Sequence, residues 1–318
     1  MKTAILVDSA CSLPGVLCAK YHITKVPLKY FIDEEPFVDS GDDDSNEALF
    51  ASGVFGRKHD VHTMPPEQKD FERAIIVKIK QGYQNIVVQT VNRTQGETYN
   101  QANAAVARVR QQLDGRKINL RVMDSRTVFA GQGLMAVETV RRQARGVDDN
   151  QLRREMDYVS SSIHTYIIPK DPLVALERSR ERNENSVGWA QALIASKLGI
   201  HPIICNVNDA SHAVTKLWGF KKAAEAVFKH AITCINRGLV SPIITINYCG
   251  PMTELRAMPS FDRLQTLCRE KKLMLVPSLG SVAAGIYTSV GSLSLALACE
   301  AAEWGETKPR TKKDKSSG

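Results

Sequence analysis

The sequence predicts an α/β protein with two domains. Its first half alternates short β-rich apolar runs with stretches of helical apolar spacing, which is typical of a parallel sheet covered by helices. Its second half begins with helical stretches and continues with extended segments, which indicates a mixed or antiparallel sheet. The length of 318 residues also fits about two domains. We expect a Rossmann-like N-terminal α/β domain at residues 1–155, a C-terminal α/β domain at 156–300 and a basic disordered tail at 301–318.

The first predicted domain contains three buried strands separated by helices. Strands are expected at residues 3–7, 86–91 and 119–123, and helices at 67–81, 97–113 and 127–145. Two of the strands end in the same dipeptide, Asp8-Ser9 and Asp124-Ser125. Ligands of open parallel sheets bind beyond the carboxyl ends of the strands. Both dipeptides therefore fall at the expected binding edge, although fixing a turn is their simpler role.

The second predicted domain has a different order of elements. Helices are expected at residues 149–161, 172–182, 187–198 and 221–235, and strands at 202–207, 212–215, 242–248 and 273–276. The dipeptide Asn208-Asp209 separates two adjacent strand candidates. Because Asn and Asp tolerate the positive φ angles of tight hairpin turns, we expect antiparallel pairing here.

Composition and charge exclude several classes of protein. Apolar residues make up 43% of the chain and charged residues 24%, which is ordinary for a globular protein. The formal net charge is +8, but residues 307–318 hold five Lys or Arg and one Asp, so half of the excess lies in the tail. Aromatic residues are only 6%, and a basic stripe interleaved with aromatics is missing. We therefore expect no nucleic-acid partner.

Targeting and redox signals indicate a cytoplasmic protein. Asp8 interrupts the N-terminal apolar run before it reaches signal-peptide length. No apolar stretch approaches the roughly 20 residues that span a bilayer, so we expect no membrane span. The seven cysteines are an odd number, widely spaced and without a CxxC pair, which is typical of reduced thiols.

Motifs for nucleotide, metal and nucleophilic chemistry are weak. The sequence lacks GxxxxGK[ST], a GxGxxG after a strand, and Gx[ST]xG. His59 and His62 flank Asp60, but a catalytic metal needs a third ligand, and hydrogen-bonded loop histidines are the simpler interpretation. We expect no metal and no cofactor. Hydroxyl side chains without an activating base suit the binding of an oxyanion better than nucleophilic attack.

An acidic segment holds eight carboxylates within residues 33–47. Such a run is typical of a solvated loop, and the alternative is a docking surface for a basic partner.

Seven segments of the chain form an ordered set of motifs at characteristic spacing. They are ILVDSACSLP (5–14), VPLKYFIDEEPFVD (26–39), HTMP (62–65), NRTQGETYNQA (92–102), VMDSRTVFAGQGLMAVE (122–138), LGIHPIICNVNDA (198–210) and LGSVAAGIYTSVGSLSLAL (279–297). Together they resemble the DegV family of bacterial fatty-acid-binding proteins over residues 3 to about 298. In that family the corresponding segments are, in order, the Asp-Ser strand end, the second strand and hairpin, a Thr-Ser-Gln-Pro-like turn, a Ser-Gly-Thr-Tyr segment, an Asp-Ser…Gly-x-Gly stretch, an Ile-Lys-Pro-Ile strand and a closing Gly-Thr-His-x-Gly-Pro-Gly segment.

This resemblance implies a two-domain lipid-binding protein without catalysis of its own. In the family a long acyl chain lies in an apolar tunnel between the domains, and hydroxyls and a histidine hold its carboxylate near the surface. Burial of the tail gains about 0.8 kcal/mol per methylene, whereas the head group needs donors to offset its desolvation. The implied ligand is a fatty acid, and the implied partner is an ATP-dependent fatty-acid kinase.

The implied head-group site departs from the family pattern. Thr63 keeps a hydroxyl in the Thr-Ser-Gln-Pro-like turn. Tyr287 stands in place of the family's closing histidine, and Thr288 follows it. A tyrosine still donates a hydrogen bond, but it carries no positive charge near neutral pH.

The Ser-Gly-Thr-Tyr segment leaves the second hydroxyl open by register. Thr94 is the preferred carboxylate ligand there, with Asn92 and Thr98 close behind. The secondary candidates for the site are His62, Asn92 and Ser125.

The main hypothesis is therefore a cytoplasmic protein that holds a fatty acid, or a similar amphiphilic acid, and presents its carboxylate to the kinase. Arg180 or Arg182 resembles the family's partner-facing arginine. One alternative is a small-molecule hydrolase or transferase that uses the inter-domain cleft with His59 and His62. Another is a regulatory protein that binds its partner through residues 33–47.

Overall fold

The computed structural model describes residues 3–113, 115, 117–181, 199–300 and 302–305, and the predicted α/β class is confirmed. The strands are β1 (Thr3–Asp8), β2 (Ile23–Val26), β3 (Lys29–Ile32), β4 (Glu35–Val38), β5 (Val61–Met64), β6 (Asn85–Thr90), β7 (Asn119–Asp124), β8 (Ile163–Ile168), β9 (Ile200–Val207), β10 (Ala210–Trp218), β11 (Ile243–Tyr248), β12 (Met274–Leu279) and β13 (Leu293–Ala298).

The α-helices of the described residues are numbered in chain order. They are α1 (Gly15–Tyr21), α2 (Asp43–Ser52), α3 (Gln68–Lys80), α4 (Thr98–Gln111), α5 (Ala130–Ala144), α6 (Asp149–Ser162), α7 (Pro172–Glu181), α8 (Phe220–Arg237), α9 (Met252–Arg256), α10 (Phe261–Glu270) and α11 (Val282–Thr288). None of them combines the length and the apolar character that crossing a membrane requires.

The N-terminal sheet is parallel, as the alternation of strands and helices predicts. Its strand order is β2-β1-β6-β7. All six residues of β6 are buried, because helices cover the sheet on both faces and leave no side for water. The carboxyl ends of β1 and β6 therefore meet at one edge, as expected for a binding edge.

A three-stranded antiparallel sheet follows β2 along the chain, in the order β4-β3-β5. The β3–β4 turn uses Asp33 and Glu34 at positive φ, 50° and 70°. Helix α2 begins inside the acidic segment, where the Asp42 carboxylate accepts the Ser45 N–H of its first turn over 2.9 Å. The interpretation of residues 33–47 as a continuous solvated loop is therefore wrong for this part.

The third sheet has six strands in the order β10-β9-β8-β13-β11-β12, and only its β11–β12 pair is parallel. The mixed sheet predicted for the second half is thus confirmed. Asn208 and Asp209 form the β9–β10 turn at φ 46° and 71°, as the hairpin prediction requires. The sequence analysis did not identify β8 or β13, although they are neighbours in the middle of this sheet.

Helix α5 lies between the two larger sheets and packs against both. Its first ten residues are all buried. At Gly131 a Cβ atom would lie 2.1 Å from the Thr127 Oγ1 and 2.4 Å from the Thr165 Oγ1. The Thr245 Oγ1 also donates to the Ala130 carbonyl over 2.6 Å. Only glycine allows the first turn of α5 to approach β8 and β11 this closely.

The predicted boundary between the two domains falls within a hydrophobic core to which both contribute residues. Helices α5 and α6 form one apolar cluster with residues of β11 and β13, so the boundary at residue 155 stays a prediction. In the predicted tail, the Ala302 carbonyl accepts from the Tyr166 hydroxyl and the Trp304 ring packs on Tyr166. The rest of the tail, residue 301 and residues 306–318, lies outside the described residues, as does the helix predicted at 187–198.

We expect Gly131→Ala to lower the free energy of unfolding by about 1–3 kcal/mol, because the new methyl group overlaps two threonine side chains. Chemical denaturation monitored by circular dichroism measures the change. Gly15→Ala is the matched control, since its Cβ would meet only the Asp43 Oδ2 at an ordinary 3.8 Å. Equal stability of the two variants would contradict the close approach of α5.

Candidate functional site

A cavity opens at the carboxyl ends of β1 and β6, where the three-stranded sheet, α11 and the β9–β10 hairpin meet. Its volume is about 870 Å³, counting space open to solvent. The lining is drawn from distant parts of the chain, represented by Asp8, Thr63, Val91, Ser211 and Tyr287. The cavity therefore lies at the predicted binding edge and is closed by elements of both halves.

Two predicted head-group residues, Thr63 and Tyr287, meet at this cavity. The Thr63 N–H donates to the Tyr287 Oη over 3.0 Å, and the Thr63 Oγ1 lies 3.0 Å from the same oxygen. Thr63 is positioned by the pairing of β5 with β3, and Tyr287 by the last turn of α11. Their contact joins the three-stranded sheet to the C-terminal part of the chain.

Helix α11 is fixed by hydrogen bonds at both ends. Ser281 caps its first turn and donates its own N–H to the Ser12 Oγ over 2.9 Å. Near the other end, the buried Arg178 guanidinium donates to the carbonyls of Ile286 and Phe55. These bonds from three separate segments hold the cavity-facing tyrosine in position.

In the Ser-Gly-Thr-Tyr-like segment, the threonine that lines the cavity is Thr98 and not Thr94. Thr94 donates both its hydroxyl and its N–H to the Asn92 Oδ1, over 2.9 and 2.8 Å, so these two residues cap the 3-10 helix Arg93–Gln95. Neither side chain lines the cavity, whereas Thr98, the first residue of α4, does. The preferred role of Thr94 stays a prediction, and the geometry favours the alternative register.

Thr288 and Ser125 form hydrogen bonds within their own local structure. The Thr288 Oγ1 donates to the Ala284 carbonyl and lies 2.6 Å from the Ser292 Oγ. The Ser125 Oγ donates to the Thr127 carbonyl over 3.0 Å, in the turn that precedes α5. Both hydroxyls are buried outside the cavity lining, and their proposed contact with a carboxylate stays a prediction.

His59 and His62 have separate partners. The His59 Nδ1 lies 2.6 Å from the Asp33 Oδ2, and the His62 ring stacks on Phe31 with centroids 4.8 Å apart. The His62 Nδ1 is 3.9 Å from the Asp60 Oδ1. Across the described ranges, no group of three or more potential metal ligands occurs. The two histidines therefore belong to different local contacts.

The residues predicted to contact partners are placed only in part. Arg182 and the side chain of Arg180 lie outside the described residues. In the acidic segment, the Asp43 carboxylate accepts the Gly15 N–H, and the buried Asp39 accepts the Gly41 N–H. Several of these carboxylates therefore stabilise the local fold, which leaves fewer for a docking surface.

Asp8 contributes a buried carboxylate to the cavity wall. It accepts the Val91 N–H over 2.7 Å, the Ala10 N–H over 3.2 Å and the Gln132 side-chain amide over 3.2 Å. Burial raises the pKa of Asp8 to about 6, against the lowering effect of these donors. The residue thus fixes the turn after β1, as the sequence suggests, and also faces the ligand space.

The remaining wall is mostly apolar and includes two residues without a predicted role, Phe129 and Ser211. Phe129 adopts φ 47° and ψ −109°, a strained conformation for a residue with a side chain, immediately before α5. Ser211 reaches the cavity through the β9–β10 hairpin. Neither residue could be predicted from the sequence, because tertiary packing determines both the backbone strain at Phe129 and the position of the hairpin that carries Ser211.

These features define the class: an α/β protein whose largely apolar cavity presents hydroxyls from two lobes, the first built on the parallel and three-stranded sheets and the second on the six-stranded sheet. The chain belongs to the DegV family, because the family model described as "Uncharacterised protein, DegV family" matches residues 2–300. A DegV domain-containing protein of Xanthomonas campestris pv. campestris is 28% identical over 308 residues, covering 94% of this chain and 98% of the relative.

Solved structures show the same fold. A stearic acid-binding protein from Eubacterium ventriosum aligns with a TM-score of 0.79 at 19% identity, covering 94% of this chain and 98% of its own. The Streptococcus pneumoniae Fatty Acid Kinase (Fak) B3 protein, loaded with linoleic acid, aligns with a TM-score of 0.72 at 15% identity, covering 94% and 100%.

Proposed function

We propose that this protein binds one long-chain fatty acid, or a similar amphiphilic acid, in the cavity between its lobes. The observation that carries the proposal is the combination of an apolar wall with the Thr63–Tyr287 hydroxyl pair in one cavity. An acyl tail gains free energy by leaving water, and the hydroxyls replace the hydration of the head group. The ligands of the solved DegV relatives support this assignment.

In this proposal Thr63 and Tyr287 contact the head group from opposite lobes, and Thr98 supplies a third hydroxyl from the first turn of α4. The N–H groups of that turn point toward the start of the helix, where they attract oxygen atoms of a ligand. Thr94, Thr288 and Ser125 act indirectly, because their hydrogen bonds fix the segments that carry the site.

We further propose that the protein is a non-catalytic, cytoplasmic carrier that presents the acid to an ATP-dependent fatty-acid kinase. The fatty-acid kinase component among its structural relatives supports this role. Arg180 or Arg182, next to the described end of α7, is the proposed partner contact.

Protein purified from a bacterial host should carry about one acyl ligand per chain. Solvent extraction followed by mass spectrometry identifies and counts that ligand. Adding ATP and a bacterial fatty-acid kinase should then yield the acyl phosphate. Recovery of no acyl ligand, with no binding of fluorescent fatty acids, would remove the support for lipid binding.

Tyr287→Phe should weaken fatty-acid binding by about tenfold, because it deletes a hydroxyl that faces the head group. Fluorescence titration measures the affinity. Tyr248→Phe deletes the same atom from a buried tyrosine whose hydroxyl donates to Glu254 outside the cavity, and it should bind normally. Equal losses in both variants would argue against a head-group contact.

A second pair of variants tests the register of the α4 segment. We expect Thr98→Val to weaken binding several-fold, since Thr98 lines the cavity, and Thr94→Val to alter mainly stability, since its hydroxyl donates to the Asn92 side chain in a local turn. Affinity and thermal midpoint are measured for both. The reverse result, with affinity lost only in Thr94→Val, would restore the register preferred from the sequence.

A further inference from the structure

The charges on the cavity wall are all of one sign. Among the lining residues that the structure describes, the ionisable ones are Asp8, Glu97 and Tyr287, and there is no Lys, Arg or His. An anionic head group therefore finds no positive side chain in this part of the wall. It would instead add a second negative charge to a cavity whose wall already contains the buried Asp8 carboxylate, which is costly where water is scarce.

The groups around Asp8 do not compensate its charge. Lys25 of β2 pairs with Val7, one residue before Asp8, but its ammonium donates to the carbonyls of Leu13 and Gly41. Gln132 of α5 and Val91 after β6 contribute uncharged donors. Cys11, on the same loop, is a buried thiol whose pKa is raised by burial.

The other polar groups of the wall suit a neutral head group. Thr63, Thr98, Ser211 and Tyr287 are hydroxyls, which both donate and accept hydrogen bonds. A protonated carboxyl group or an alcohol offers the same combination, whereas a carboxylate only accepts. At the start of α4, the attraction of the helix for anions is offset by Glu97, which occupies the N-cap position itself.

We infer that the cavity holds its ligand with an uncharged head group: a long-chain alcohol directly, and a fatty acid only together with one proton taken up from solvent. The inference rests on the proposed function, because it specifies the form in which the same amphiphile is held. When both carboxyl groups are ionised before binding, the complex takes up one proton from solvent. The same proton leaves when the acid departs as a carboxylate.

The test compares two ligands of equal chain length, lauric acid and dodecanol, by displacement of Nile red from the full chain over a range of pH. Above about pH 6, where free Asp8 ionises, the affinity for lauric acid should fall by about tenfold per pH unit, since each binding event consumes a proton. The affinity for dodecanol should change far less, and dodecanol should bind more tightly than laurate at about pH 8.

Asp8→Asn should remove the pH dependence of lauric acid binding, because the acid can then bind ionised without a second charge beside it. Asp262→Asn, in the first turn of α10 and outside the cavity, makes the same change in net charge and should keep the slope. If Asp8→Asn does not fold, the pH dependence of lauric acid and dodecanol binding to the wild-type protein still tests the inference.

The outcomes separate the two proposals. Lauric acid that binds equally well at every pH, and more tightly than dodecanol, overturns the uncharged head group and leaves lipid binding intact. Failure of both ligands to displace Nile red overturns lipid binding, and the inference falls with it.

Discussion

The close approach of α5 to the six-stranded sheet determines the geometry of the whole molecule. Because Gly131 has no side chain, the first turn of α5 reaches Thr165 on β8 and Thr245 on β11 while its other side covers the parallel sheet. The helix thus sets the separation of the two sheets. Just before it, Val128 and Phe129 line the space that the sheets leave between them. The position of α5 therefore determines where the cavity lies between the two sheets.

The Thr63–Tyr287 pair both connects the two lobes and supplies polar atoms to the cavity wall. Thr63 and Tyr287 come from the three-stranded sheet and α11, so the hydroxyls that face a ligand also join parts of the chain that lie far apart in sequence. A tyrosine at position 287 supplies a hydroxyl but no cation near neutral pH, and Asp8 adds a buried acid to the same wall. The inferred uncharged head group rests on this combination.

The sequence predicted the elements that have a clear period and clear ends, including β1, β6, β7, α3 and α4. It did not identify β8, because α6 runs into it at Ser162-Ile163 without a loop. Strand β13, LSLALA, consists largely of residues that also form buried helices, so its apolar run is ambiguous. At the site, Thr63 and Tyr287 followed from the family pattern, whereas Thr98, Phe129 and Ser211 depend on local register and tertiary packing.

The hydrogen bond between Thr63 and Tyr287 also affects how readily a bound ligand would be released. In the proposed complex, a head group that binds these hydroxyls replaces a hydrogen bond that the protein already makes, so the contact adds about 1.4 kcal/mol of net binding free energy, the order of one hydrogen bond. Most of the binding free energy then comes from the aliphatic chain of the ligand, because its transfer out of water does not compete with a contact inside the protein. In the proposed carrier role, a ligand held mainly by its aliphatic chain releases its polar end at a small cost in free energy, which suits delivery to a second protein.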